Sequence, residues 1–200
     1  MDHFRRIASG IDTSGIRAML EAHPEIWDAW MGDNYFVHGV KSRVIGVRNE
    51  GVAGLREALI LRWLIKGEAH DCAPEISGVA EWARDTVATM AALIRSNEIG
   101  RVMLAMLRAG DRIQQHTDGI NRPCKRCQAS GSSMCRYLGR YPERFHCVIA
   151  SNPDCWFTCG EERVCMAPGE LWWFNQRVLH SVKNSGDDRI HLILDARLSA

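Results

Sequence analysis

The chain has 200 residues, of which 46% are hydrophobic, with a formal net charge of +1 and eight cysteines. That length suffices for one domain with a sizeable core and leaves little room for a second, while the near-zero charge argues against nucleic acid or any other general polyanion as a partner. Arg5 and Arg6 precede no apolar signal region and no run approaches membrane-spanning length, so the expectation is a cytoplasmic protein that keeps its thiols reduced and needs no membrane.

Asp12-Thr13-Ser14 offers N-cap chemistry for a helix through Ile16, Met19 and Leu20 that ends near His23-Pro24. Trp27 and Trp30 read as packing residues, and Val44-Ile45-Gly46-Val47 as a short strand. Leu55, Ala58, Leu59, Leu61 and Trp63 predict a helix from about Ala53 to Lys66. After a loop from Gly67 to Pro74, a longer amphipathic helix is expected from about Ile76 to Arg95, with Val79, Trp82, Ala83, Val87, Met90, Ala91 and Ile94 at helical spacing. Such stripes are core rather than a cofactor box. Residues 1–99 therefore read as mostly helical support.

Beyond Gly100 the texture changes to short apolar runs: Arg101 to Leu107, Arg112 to Asp118, Phe145 to Ala150, Trp156 to Cys159, Arg163 to Met166, Leu171 to Phe174, His180 to Lys183 and Ile190 to Asp195. Turn-forming residues divide them, among them Ala109-Gly110-Asp111, Ser151-Asn152-Pro153-Asp154, Pro168-Gly169-Glu170 and Asn184-Ser185-Gly186-Asp187. Eight short strands fit a double-stranded β-helix, the jelly-roll or cupin-like barrel. The whole reads as one α+β domain over 1–200, with the barrel in 100–200 and helices buttressing it.

Within that half, His116-Thr117-Asp118 places an imidazole and a carboxylate two residues apart. The strand period of two turns both to one face, where they can clamp one ion while Thr117 faces away. His180 opens another strand-like run and supplies a third ligand if the sheet curls back on itself as a small barrel. Two histidines and one carboxylate on one face leave coordination positions open, which suits Fe(II) that must bind a cosubstrate and O2 together. Taken alone, His116 could equally be a surface histidine beside a turn and His180 a satisfied core histidine. Arg189 lies nine positions beyond His180, across the turn Asn184 to Asp188, so a short hairpin can bring its guanidinium near the metal. There it offers the bidentate, charge-assisted bonds that a dicarboxylate needs, unless it pairs with Asp187 or Asp188 on the surface instead.

A set of ordered motifs extends the pattern: Gly110 six positions before His116, Arg144-Phe145-His146, Asn152-Pro153-Asp154, Pro168 to Asn175, His180-Ser181-Val182, and Arg189 ahead of Leu192 to Asp195. In these the segment Arg101 to Arg197 resembles the aspartyl/asparaginyl β-hydroxylase family of Fe(II)/2-oxoglutarate oxygenases. The resemblance implies that His116 and His180 bind iron, that Arg189 forms the salt bridge to 2-oxoglutarate, that His146 touches the cosubstrate, and that Arg144 meets an acidic group on the substrate. It also implies hydroxylation of an unactivated carbon, with release of succinate and CO2, on a small acidic, amino-acid or peptidyl substrate.

The chain departs from that family in three places. Asp118 stands where the animal peptide hydroxylases have glycine; it completes a two-His, one-carboxylate set and argues against a halogenase, which leaves that position empty for halide. Ala105 stands where the family has a serine that bonds the cosubstrate. The segment between Asp118 and Arg144 is long and holds Arg122, Lys125, Arg126, Arg136 and Arg140 with Tyr137 and Tyr141; it reads either as a lid that draws in an anionic substrate or as a solvated loop. Cys124, Cys127 and Cys135 in that segment could seed a structural zinc site if Cys72 or another group supplied a fourth ligand. Cys147, Cys155, Cys159 and Cys165 read as packed thiols. Two other classes use the same clamp: a metal-dependent cupin enzyme without 2-oxoglutarate, which has no need of Arg189, and a non-catalytic cupin binding or sensing module.

Overall fold

The computed structural model describes residues 2–24, 36–37, 40–41, 57–65, 68–71, 77–118 and 143–198. In chain order they form β1 (Phe4–Ala8), α1 (Ser14–Ala22), β2 (Phe36–Val37), β3 (Val40–Lys41), β4 (Glu57–Ile65), β5 (Glu68–Asp71), α2 (Ser77–Leu93), β6 (Glu98–Leu107), β7 (Arg112–His116), β8 (Glu143–Ala150), β9 (Cys155–Cys159), β10 (Glu162–Val164), β11 (Leu171–Phe174), β12 (His180–Asn184) and β13 (Arg189–Arg197). Seven strands make a major sheet in the order β1-β11-β8-β13-β6-β4-β5, and four make a minor sheet in the order β10-β9-β12-β7. This is the double-stranded β-helix expected from the strand pattern. The two sheets are not joined into a closed barrel, so the expected small barrel is corrected to an open sandwich.

Side-chain alternation shows how the sheets and helices pack. On one face of the major sheet, Leu104 and Met106 of β6, Phe145, Cys147 and Ile149 of β8, and Leu192 and Leu194 of β13 bury against Ile16, Met19 and Leu20 of α1 and Ala83 and Met90 of α2. The alternate positions Leu107, Val148, Trp172 and Phe174 face the minor sheet and meet Phe157, Cys159 and Val182. A strand buried on both faces cannot show polar-apolar alternation, and Arg189-Ile190-His191-Leu192-Ile193-Leu194-Asp195 reads accordingly. Polar residues on such a strand are therefore informative, because they occupy positions that would otherwise be core.

Both terminal helices of the sequence reading are present. Asp12 Oδ1 accepts from Ser14 N at 2.9 Å and from Ser14 Oγ at 2.6 Å, an Asx turn that leads into α1, while Thr13 at the N-cap makes no side-chain cap bond. All eight expected C-terminal strands form. Gly110 and Gly169 take the positive φ that their turns require, +80° and +78°, and a Cβ on Gly169 would lie 3.0 Å from the Ile11 carbonyl oxygen.

The helix expected from Ala53 to Lys66 is overturned: Glu57–Ile65 is β4, paired with β6 on one side and β5 on the other. A short apolar run satisfies helical and fully buried strand templates alike, and here two ladders take up the backbone groups. Phe4–Ala8 is likewise a strand where none was expected, antiparallel to β11; Arg5 and Arg6 lie over the rings of Trp173 and Trp172. The N-terminal half thus contributes strands to the major sheet as well as helices. The expected strand at Val44 to Val47, the packing residues Trp27 and Trp30, the basic segment after Asp118 and the cysteines Cys124, Cys127 and Cys135 lie outside the described residues. No described helix is long and apolar enough to cross a membrane.

Candidate active site

His116 ends β7 and His180 begins β12, and these antiparallel neighbours place the two residues directly opposite in register. Their ring centroids are 4.3 Å apart. Each ring is oriented from behind: His116 Nδ1 lies 2.7 Å from the carbonyl oxygen of Gln114, and His180 Nδ1 lies 2.9 Å from that of Val178. A carbonyl only accepts, so both rings carry a proton on Nδ1 and turn Nε2 toward the cluster, the arrangement found behind metal-bound histidines. Burial holds the His180 imidazolium below the usual histidine range, so that ring is neutral at neutral pH.

Asp118 lies two residues past the end of β7, its amide donating to the Gln176 carbonyl at 3.1 Å. His116 Nε2 is 3.7 Å from its Oδ1, and His180 Nε2 is 3.9 Å from its Oδ2. One candidate ligand atom from each of the three residues falls within 4.8 Å of the others. Two imidazole nitrogens and a carboxylate converging at that separation fit a single divalent ion of the Fe(II) type.

Around this cluster Ile113, Phe157, Phe174, Val182 and Ile193 form an apolar cleft wall, broken by Arg144, His146 and Arg189. The cleft lies between the sheets, and Arg189, Arg144 and His146 project into it from the inner face of the major sheet. Arg189 is 3% exposed, and among the described residues no carboxylate pairs with it. Burial pulls its guanidinium down to about 10, which leaves it cationic at neutral pH. The expected route to it differs in detail. The turn after Asn184 is no hairpin within one sheet, because β12 pairs with β7 and β9 while β13 pairs with β6 and β8. It carries the chain from the minor to the major sheet. Asn184 pins this crossing, with Nδ2 3.0 Å from the Leu107 carbonyl and 2.8 Å from that of Asp187.

Arg144 stands differently from a residue open at the mouth of the cleft. It is 4% exposed, donates from Nη1 to Asp118 Oδ2 at 2.6 Å, and holds Asp195 from Nε and Nη2 at 2.6 and 3.2 Å. A candidate metal-binding carboxylate is thereby tied through one guanidinium to a second, fully buried carboxylate. Asp195 entered the sequence reading only as the end of a motif, and His191 not at all. The period of two from Arg189 through His191 and Ile193 to Asp195 was the available signal. His146, on β8 beside Phe174 with ring centroids 5.2 Å apart, does line the cleft. Ala105 is buried on the inner face of β6.

The four described cysteines are free thiols. Burial pushes Cys147 up to about 12 and Cys159 to about 11, so these stay protonated and packed, as expected.

A family model described as aspartyl/asparaginyl beta-hydroxylase matches residues 79–198 of this chain. No curated protein sequence matches it. Among solved structures, a prolyl-4-hydroxylase from Pseudomonas putida superposes with a TM-score of 0.51 at 12% identity, over 100% of this chain and 95% of its own. A prolyl hydroxylase from Trichoplax adhaerens, solved with a hypoxia-inducible-factor oxygen degradation domain peptide fragment, gives 0.54 at 13% identity, over 98% and 84%. SnoN, a non-heme alpha-ketoglutarate-dependent epimerase of nogalamycin biosynthesis, gives 0.55 at 12% identity, over 98% and 78%. At these identities the shared feature is the fold.

Proposed function

Because the chain belongs to the aspartyl/asparaginyl β-hydroxylase family, a family of Fe(II)/2-oxoglutarate-dependent hydroxylases, we propose that it hydroxylates an unactivated carbon of a small acidic, amino-acid or peptidyl substrate and releases succinate and CO2. In this reading His116, Asp118 and His180 hold the iron, and Arg189 with His146 holds 2-oxoglutarate. Bound there, iron and cosubstrate supply the oxidative chemistry that side chains lack.

The chain's own residues supply orientation and dryness. Gln114 and Val178 fix the two imidazoles through their carbonyls, and Arg144 fixes Asp118. Phe157, Phe174, Val182, Ile113 and Ile193 line the cleft and keep water from the reacting groups. Arg144 lies in the same cleft, already held by Asp195, where it meets an acidic group of the substrate.

The observation that carries the reading is Arg189, a buried guanidinium without a carboxylate partner among the described residues, in one cleft with the His-Asp-His cluster. A buried unpaired charge costs stability, and a carboxylate arriving as ligand offsets that cost. A metal-dependent cupin enzyme without 2-oxoglutarate has no use for it. Replacing Arg189 with methionine is therefore expected to leave the ligand-free melting temperature at or above that of the wild type. The same variant raises the 2-oxoglutarate KM for succinate release about a hundredfold, the loss of one or two charged hydrogen bonds. A lower melting temperature with an unchanged KM makes the arginine a structural residue and removes the reading.

A further inference from the structure

Two residues past Arg189, on the same face of β13, lies another polar side chain, His191, which is 1% exposed. Across the ladders it stands opposite Ala105 of β6 and Val148 of β8. Neither neighbour offers a polar side chain, and the small methyl of Ala105 leaves room for an imidazole. His191 instead meets two residues of the cleft. Arg189 Nε donates to His191 Nε2 at 3.0 Å, Arg189 Nη2 is 2.7 Å from His191 Nδ1, and His191 Nδ1 is 3.1 Å from His146 Nδ1. Three of the polar groups on the inner face of the major sheet thus form one contiguous chain.

Proton counting orders that chain. Burial, reinforced by the Arg189 charge, holds His191 well below the usual histidine range, so the ring is neutral, with one N–H and one lone pair. Arg189 presents an N–H to each ring nitrogen, so either tautomer of His191 accepts one of them and sets its own N–H against the other. The contact between the two Nδ1 atoms takes one proton, because two protons repel and two lone pairs leave it empty. The two rings therefore hold opposite tautomers, one protonated on Nδ1 and the other on Nε2.

We propose that His191 is a positioning residue that pins the Nε–Nη2 edge of Arg189 and ties the tautomer of His146 to its own, so that a dicarboxylate meets two polar groups already set in place. The proposal rests on the reading that Arg189 and His146 hold 2-oxoglutarate. With the inner edge of the guanidinium occupied by His191, the Nη1 side remains for an incoming carboxylate. Preorganised donors spare the ligand the cost of ordering them.

The test has two arms. Nitrogen-15 NMR of the histidine rings in ligand-free protein is expected to show opposite tautomers on His146 and His191, one ring protonated on Nδ1 and the other on Nε2. In His191→Leu the His146 tautomer is no longer fixed, and the 2-oxoglutarate KM for succinate release rises about tenfold to a hundredfold, as for other outer partners of ligand-binding groups, while Fe(II) affinity stays at the wild-type value. His191→Gln, whose amide can accept from Arg189 and donate to His146, restores most of the loss and carries the arm if the leucine variant does not fold. The same tautomer on both wild-type rings, or leucine and glutamine variants that share the wild-type KM, overturns the proposal. Arg189→Met measured alongside separates the two ideas. If that variant keeps the wild-type KM, the cosubstrate reading fails, and the tautomers alone decide the role of His191.

Discussion

Asp118→Ala is expected to abolish Fe(II)-dependent turnover while leaving the chain folded. Its two oxygens lie 3.7 and 3.9 Å from the Nε2 atoms of His116 and His180, so its removal takes one of three ligands from the site. Loss of an outer partner costs metal sites about 10–100-fold, and loss of a ligand exceeds that. The fold survives because Arg144 keeps its paired contact to Asp195, and the alanine methyl sits at the wall of an open cleft. Competition with a chelator for Fe(II), together with succinate release, measures the effect. Retained wild-type activity contradicts the three-ligand site. It would mean that two histidines suffice, as the glycine at this position in the animal peptide hydroxylases implies for those enzymes.

The second large effect is on stability. Arg144→Gln leaves Asp195, 1% exposed, and the partly buried Asp118 without the guanidinium that joins them. Breaking a buried ion pair by removing one partner costs about 3–5 kcal/mol, which for a chain of this size lowers the melting temperature by about 6–20 °C. The double variant Arg144→Gln/Asp195→Asn is expected to recover a large part of that loss, since no uncompensated charge remains at position 195. If Arg144 only met substrate, Arg144→Gln would melt with the wild type and the double variant would gain nothing.

The C-terminal half was legible because its strands are short and Gly, Pro, Asn and Asp separate them. The His-Asp-His cluster was legible because one strand period brings His116 and Asp118 together, and the cross-strand position of His180 opposite His116 completes it. What was lost depends on pairing between distant strands. Glu57–Ile65 has the composition of a helix or a buried strand, and only its partners β5 and β6 decide between them. The separation of the two sheets is hidden for the same reason, since hydrogen-bonded order is not written in any single strand. Arg144 could be read as a cation for substrate, but its ties to Asp118 and Asp195 join residues 26 and 51 positions apart. His191 looked like one polar interruption in an apolar run. Its meaning lies in β8 and in Arg189.

The central claim is that His116, Asp118 and His180 bind iron beside a cosubstrate held by Arg189. Anaerobic titration of the ligand-free protein with Fe(II) in the presence of 2-oxoglutarate tests this most directly. The expected result is a visible charge-transfer band that saturates at about one iron per chain, the stoichiometry of a single three-residue site, and that is absent from Asp118→Ala. Iron uptake at that stoichiometry with no such band, or a band of full strength in Asp118→Ala, would contradict it.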